Sequence, residues 1–250
     1  MMVEIKTPAE LDLMRQASKI VAQVLALLKK EIRDGVTTAE LNILAEREIR
    51  HREAAPAFLG YRGYPATLCV SINEEVVHGI PSDKRIIRGG DLVSLDLGAV
   101  YRGFYGDAAV TVAVGTVRPE MSRLIDVTAA SLAKALSKIR SGAKLGDVSH
   151  AVESFVVDNG MSVVKEFTGH GIGRRLHEEP SIPNYGKPGS GVTLRPGMTL
   201  AIEPMVCLGK SEVVIQSDGW TAVSADGSCA AHFEHTVAVT ENGCEILSVV

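Results

Sequence analysis

No apolar run in this 250-residue chain approaches the roughly 18 residues that a membrane-spanning helix needs. Its start, MMVEIKTPAELD, is polar and acidic, unlike a signal peptide. Cysteine is sparse. Cys69, Cys207, Cys229 and Cys244 are scattered without a CxxC pair, and free thiols in a reducing cytoplasm are the plain reading. Positive charge is not in excess: Lys and Arg number 26 against 30 Asp and Glu, leaving a net charge of −4 and a pI near 6.0. That balance argues against nucleic acid or an anionic membrane as the main partner. No GxSxG elbow and no Walker loop occurs, and a serine or cysteine hydrolase is poorly supported. His177-Glu178-Glu179-Pro180-Ser181 is not an HExxH helix, because Pro180 breaks it and Ser181 stands where the second histidine belongs. Gly169-His170-Gly171-Ile172-Gly173 lacks the strand and helix that would frame a dinucleotide fingerprint. No heptad pattern points to a coiled coil, and a monomer is the default expectation.

What is present begins with Ser94–Val114. Two strand-like runs, Leu92 to Leu97 and Gly106 to Val114, flank a short link carrying Gly98, Gly103 and Gly106, which predicts an antiparallel hairpin. A turn centred on Tyr101-Arg102 would set Asp96 opposite Asp107, with Cβ atoms about 5 Å apart. Two such carboxylates in apolar runs need a counter-charge, and a metal ion is the best candidate.

Around the hairpin, Thr7-Pro8-Ala9-Glu10 is a capping box that opens a helix with apolar residues at helical spacing, Leu11 to Leu28. Gly35 is read as its end, and Thr37-Thr38-Ala39-Glu40 opens a second helix. Residues 55–90 read as loops with a short strand at Thr67–Ile72. Helices are predicted at about Ser122–Ile139 and Asp147–Val157, and strands at Met198–Val206, Val213–Ile215 and Phe233–Val239. Two words recur at one offset. Ile32-Arg33-Asp34-Gly35-Val36 returns as Ile139-Arg140-Ser141-Gly142-Ala143, and Gly90–Asp96 returns as Gly197–Glu203, each 107 residues later (139 − 32 and 197 − 90). This implies one catalytic domain built from two related helix–helix–strand–strand halves, about 1–116 and 117–250, an α+β fold. Chance similarity of short apolar words is the bland alternative.

The repeat turns two carboxylates into four: Asp96, Asp107, Glu203 and Glu234. Four clustered carboxylates call for two divalent ions, and an imidazole beside them would favour a transition metal. His170, between flanking glycines, is the best imidazole. Taken singly, each acid is more simply a hydrogen-bonded or solvated residue. His78 and His177 lie in apolar or Pro-bounded loops and could serve an oxyanion or a proton, although a capping or core role is commoner for a lone histidine. His51, His150 and His232 read as surface or packing residues. His235 would point to the strand face opposite Glu234.

Taken together, the words Gly60-Tyr61-x-Gly63-Tyr64-Pro65, Ser71-Ile72-Asn73, His78-Gly79-Ile80-Pro81, Asp96-Leu97-Gly98, Tyr105-Gly106-Asp107, Gly169–Gly173, His177–Pro180, Ile202-Glu203-Pro204 and Glu234-His235-Thr236 resemble those of the type I methionine aminopeptidases in their short bacterial form, over nearly the whole chain. The resemblance implies a pita-bread fold, two pseudosymmetric halves around a largely antiparallel curved sheet. It implies two divalent ions (cobalt, manganese, iron or zinc) held by Asp96, Asp107, His170, Glu203 and Glu234, with Asp107 and Glu234 bridging. His78 and His177 would contact the substrate peptide, and Tyr61, Tyr64, Cys69 and Trp220 would line the methionine pocket. Leu176 and Phe58 depart from the family's usual residues near that pocket.

The activity so implied is removal of the initiator methionine from nascent proteins, with a preference for a small second residue. A metal-bridging hydroxide would attack, with Glu203 as general base. The expected setting is cytoplasmic, with the ribosome as a possible neighbour. A proline-specific relative such as prolidase, a non-enzymatic binding module on the same fold and a non-peptidase metal-binding protein are the competing readings.

Overall fold

A computed structural model describes residues 3–250. Among them the helices are α1 (Pro8–Glu31), α2 (Thr38–His51), α3 (Pro119–Leu136) and α4 (Leu145–Asp158). The strands of the first half are β1 (Ala55–Pro56), β2 (Leu68–Ile72), β3 (Glu75–Val77), β4 (Leu92–Tyr101) and β5 (Phe104–Ala113). Those of the second are β6 (Ser162–Val163), β7 (Thr168–Gly171), β8 (Glu178–Pro183), β9 (Thr199–Ile202), β10 (Met205–Cys207), β11 (Val213–Ile215), β12 (Ala222–Ser224), β13 (Ala230–His232), β14 (Glu234–Val239) and β15 (Cys244–Ile246). Both expected capping boxes form: the Thr7 and Thr37 hydroxyls accept from the amides of Glu10 and Glu40, whose carboxylates accept in return. Gly35 lies in the turn beyond α1 rather than at its last residue, because the last helical hydrogen bond is donated by the Ile32 amide to Leu28 and φ reaches +89° only at Gly35.

The main sheet is antiparallel, in the order β1-β4-β5-β14-β9-β7-β8, with β2 also on β4 and β15 on β14. Period-2 alternation decides which face each side chain meets. Val93, Leu95 and Leu97 of β4 are fully buried against α1 and α2. Leu200, Ile202, Val237 and Val239 pack in the same way beneath α3 and α4. Each such side chain stabilises the fold by roughly 1.5–3 kcal/mol through burial. The helices therefore cover one face of the sheet, and the intervening residues, including Asp96, Asp107 and Glu234, point to the other.

The repeat extends into hydrogen bonding that the short words did not reveal. Thr37 bridges Ile86, and Lys144 bridges Thr193, again 107 residues apart (144 − 37 and 193 − 86). Gly35 donates to Ile87 and Gly142 to Leu194, both at 2.9 Å. The two halves thus share a helix-end turn clamped to the approach of a central strand.

Two expectations are corrected. The hairpin turn is centred on Arg102-Gly103, with φ of +48° and +81°, so Asp107 faces Gly98 and Asp96 faces Ala109. A shift of one residue in the turn slides the register by two, which preserves the face but makes the acids diagonal neighbours. Of the three glycines assigned to the link, only Gly103 is in the turn. Gly98 and Gly106 lie inside the strands, where a Cβ would meet Phe58 at 2.7 Å and the Ser18 backbone at 2.5 Å respectively. The expected strand Met198–Val206 is in fact two, β9 and β10. It is interrupted at Glu203-Pro204, since proline has no N–H for a ladder.

Candidate metal centre

Five neighbouring strands of the main sheet each bring one residue to the same place. Asp96 comes from β4, Asp107 from β5, Glu234 from the first position of β14, Glu203 from the end of β9 and His170 from β7. Small residues make room on this face: Ala109 pairs with both Asp96 and Glu234, and Ala201 pairs with His170. The glycines beside His170 are required by packing, because a Cβ on Gly169 would lie 2.4 Å from the Ala201 carbonyl and one on Gly171 would lie 2.1 Å from that of Glu179.

Ligand atoms of Asp107, His170 and Glu234 lie within 4.8 Å of one another. His170 Nε2 is 4.0 Å from Asp107 Oδ2 and 3.6 Å from Glu203 Oε1. The other ring nitrogen, Nδ1, donates to the Gly171 carbonyl at 2.8 Å. In a neutral ring this leaves the Nε2 lone pair facing the carboxylates, the orientation a metal ligand requires.

The donor set fits a divalent cation. Asp107 Oδ1 and Glu234 Oε1 are buried and have no hydrogen-bond partner among the described residues. Burial is the main cause that pushes all four carboxyls upward. Asp96 reaches about 7, and for Asp107 and Glu234 the neighbouring acids add to the effect. Burial also lowers His170 to about 3, keeping its imidazole neutral and able to coordinate. Without positive charge these acids would hold protons. A cation supplies the partner their oxygens lack.

The same cavity, about 120 Å³, has room for a side chain and a few waters. All of the expected substrate-side residues line it: Tyr61, Tyr64, Cys69, His78, His177 and Trp220. Tyr61 stacks on His177 with ring centroids 5.3 Å apart, and its hydroxyl is hydrogen-bonded to His177 Nδ1 at 2.9 Å, which fixes the ring at the cavity wall. Burial, then Arg62, lowers His177 to about 4. His78 is held at a φ of +62°, edge-on to Phe167 and Trp220. Burial, followed by His232 and His177, lowers it to about 4 as well. Both rings are therefore neutral at pH 7. Tyr64 anchors the wall through its hydroxyl, which donates to the carbonyls of Leu68 and Gly79, and its ring meets Trp220 edge-on. A larger surface groove of about 860 Å³, between α3 and α4, is open and lysine-rich and lacks a buried titratable cluster.

Of the two departures noted in the sequence, Phe58 does line the cavity, its ring seated over Gly98. Leu176 does not. It is buried in the apolar cluster that supports Tyr61 and Tyr64. Sequence reasoning missed two residues. Arg62 lines the cavity mouth in a left-handed conformation that no motif announces. His232, read as a surface or packing residue, is fully enclosed with Nε2 3.6 Å from Glu203 Oε2. The signal that could have found it is its position two residues before Glu234, the spacing that places side chains on one face of an extended chain.

The profile of Metallopeptidase family M24 matches residues 12–241. A methionine aminopeptidase of Clostridium acetobutylicum is 50% identical over 99% of this chain and 99% of its own length. The crystal structure of a methionine aminopeptidase from Thermotoga maritima superposes with a TM-score of 0.99 at 51% identity, each chain covered in full. The prolidase of Pyrococcus furiosus shares the fold at a TM-score of 0.81, but at 24% identity and with only 65% of its chain covered.

Proposed function

The chain belongs to metallopeptidase family M24, and from that premise we propose that it is a metal-dependent aminopeptidase that removes the N-terminal methionine of nascent proteins and peptides. The observation that carries this reading is the convergence of four carboxylates and one imidazole from five adjacent strands, with two buried oxygens lacking a hydrogen-bond partner among the described residues. We assign Asp96, Asp107, His170, Glu203 and Glu234 as the residues that would hold two divalent ions, with Asp107 and Glu234 the most deeply buried of the acids. Such ions supply a Lewis acid for the scissile carbonyl and lower the pKa of the attacking water toward about 7.

The remaining chemistry lies with the protein. Glu203, partly exposed to the cavity, takes the proton of the water and returns it to the leaving amine. His177, fixed by Tyr61, presents its Nε2–H to the developing oxyanion. His78 orients the scissile amide from the opposite wall. A cavity this small admits one side chain, which confines cleavage to the first residue. Its aromatic lining of Phe58, Tyr61, Tyr64 and Trp220 suits a flexible, polarizable thioether. A small second residue is preferred on this reading. Both halves, about 1–116 and 117–250, act as one catalytic unit, and the enzyme works as a cytoplasmic monomer near the ribosome. Among the described residues no helix is long and apolar enough to cross a membrane.

The test is to incubate the chain with a Met-Ala-Ser peptide and with an Xaa-Pro peptide, each with and without a chelator. Methionine release from the first that stops with chelator and returns with added divalent metal is expected. Chelator-insensitive release, or cleavage of the Xaa-Pro peptide alone, would refute it.

A further inference from the structure

We propose that His232 is a positioning residue that holds Glu203 through a hydrogen bond from its Nε2 to Glu203 Oε2. The inference rests on the reading of Glu203 as a metal ligand and proton carrier. Three features of the structure carry it.

The first is an unsatisfied group aimed at the site. His232 is 2% exposed, and its Nε2 is buried without a hydrogen-bond partner among the described residues. A buried N–H left unpaired is costly, so its surroundings must offer an acceptor. Glu203 Oε2, at 3.6 Å, offers one, and a displacement of about half an ångström brings the pair to the usual 2.7–3.2 Å.

The second is that the ring is held in place. β13 pairs with β10 so that His232 faces Met205, two residues beyond Glu203. The Thr111 hydroxyl then clamps the His232 backbone from both sides, donating to its carbonyl at 2.9 Å and accepting from its N–H at 2.8 Å. Ser94 Oγ lies 2.8 Å from that same hydroxyl, so the clamp is tied back to β4. A side chain supported on rigid strands is suited to orienting another group.

The third is the asymmetry about Glu203. Its carboxylate lies between two imidazoles, with His170 Nε2 3.6 Å from Oε1 and His232 Nε2 3.6 Å from Oε2. His170 has its proton committed to Gly171 and presents a lone pair, so a cation belongs between it and Oε1. His232 presents a nitrogen that can carry hydrogen. Among the described residues, no other group donates to the Glu203 carboxylate. Asn184 reaches only its backbone carbonyl. One Glu203 oxygen is thereby left for the cation and the other is anchored.

The experiment compares wild type, His232→Gln, His232→Leu and Glu203→Ala. It measures divalent-metal affinity by calorimetric titration of the chelated protein with manganese, the Tm of the chelated protein, and kcat and KM on a Met-Ala-Ser peptide. For His232→Leu, metal affinity should fall about 10–100-fold. Its kcat should fall while KM stays within about threefold, and the metal-free Tm should not drop. His232→Gln keeps an N–H donor and should recover most of the affinity. In a Glu203→Ala background, His232→Leu should cause no further loss. Equal affinity in His232→Leu and wild type overturns the inference and leaves the reading of the centre intact. So does equal impairment of the Gln and Leu variants. If the wild-type chain itself binds no manganese, that reading and the inference fall together.

Discussion

Replacing Gly106 by alanine tests the packing that aims Asp107. An ideal Cβ at this position would lie 2.5 Å from the Ser18 nitrogen, 2.6 Å from its Cα and 2.8 Å from the Ala17 carbonyl carbon. All three atoms belong to the backbone of α1, so no side-chain rotation relieves the contact. Restoring the 3.4 Å of ordinary contact moves the helix about 0.9 Å from β5. A gap of that size forfeits about a quarter to a half of the dispersion attraction across the affected contacts. Overpacking of this kind costs about 1–3 kcal/mol. For a chain of this size, each kcal/mol lowers Tm by about 2–4 °C, so a fall of about 2–12 °C is expected by calorimetry of the metal-free protein. Gly89 is the control, since its φ is ordinary and a Cβ there meets nothing within 4 Å. Gly89→Ala should leave Tm unchanged or raise it slightly. If Gly106→Ala and Gly89→Ala melt within 1 °C of each other, close helix–strand contact is not what requires glycine at 106, and the reasoning fails.

Removing the metal should make stability depend on pH. The four carboxyls have folded-state values raised by burial, so in the chelated protein their contribution is intact below the unfolded value of about 4 and falls as pH rises, that of Asp96 being lost as pH passes through about 7. The Tm gap between loaded and chelated protein should therefore widen from pH 5 to pH 8, and a constant gap would contradict this. Tyr61→Phe removes the hydroxyl 2.9 Å from His177 Nδ1 but keeps the stacked ring. The lost hydrogen bond, about 0.5–1.5 kcal/mol, should lower kcat/KM about 2- to 12-fold on a methionyl peptide. A loss beyond a hundredfold would show that Tyr61 touches the reacting atoms.

Much of this architecture was legible because local signals and the global fold agree. The Thr–Glu boxes at Thr7 and Thr37 mark helix starts by a mechanism confined to four residues, and both form as expected. The carboxylates stood out because charge inside an apolar strand needs an explanation, and the 107-residue offset paired Asp96 with Glu203. What failed depended on tertiary detail. The hairpin register turned on whether Arg102 would accept a positive φ, which residue type does not disclose. Gly98 and Gly106 were taken for turn residues because the aromatic ring and the helix that need their bareness are distant in sequence. His232 carried no motif of its own. Its meaning comes from Met205 across the ladder and from Thr111 behind it.

The amino-terminal segment is held to the second half before the first helix begins. Lys6 donates from its backbone to the Gly197 carbonyl, and its ammonium lies 2.7 Å from the Glu178 carboxylate, with both side chains almost wholly enclosed. Glu178 follows His177 and also accepts from the Arg175 amide. The segment around Lys6 is thus a latch on the wall of the reaction chamber. Trimming past Lys6 would strand a carboxylate in a dry interior next to the His177 imidazole, and the loop would have to open to let water reach it. For anyone shortening or retagging this polypeptide, the vulnerable point is a lysine remote in sequence from every catalytic group.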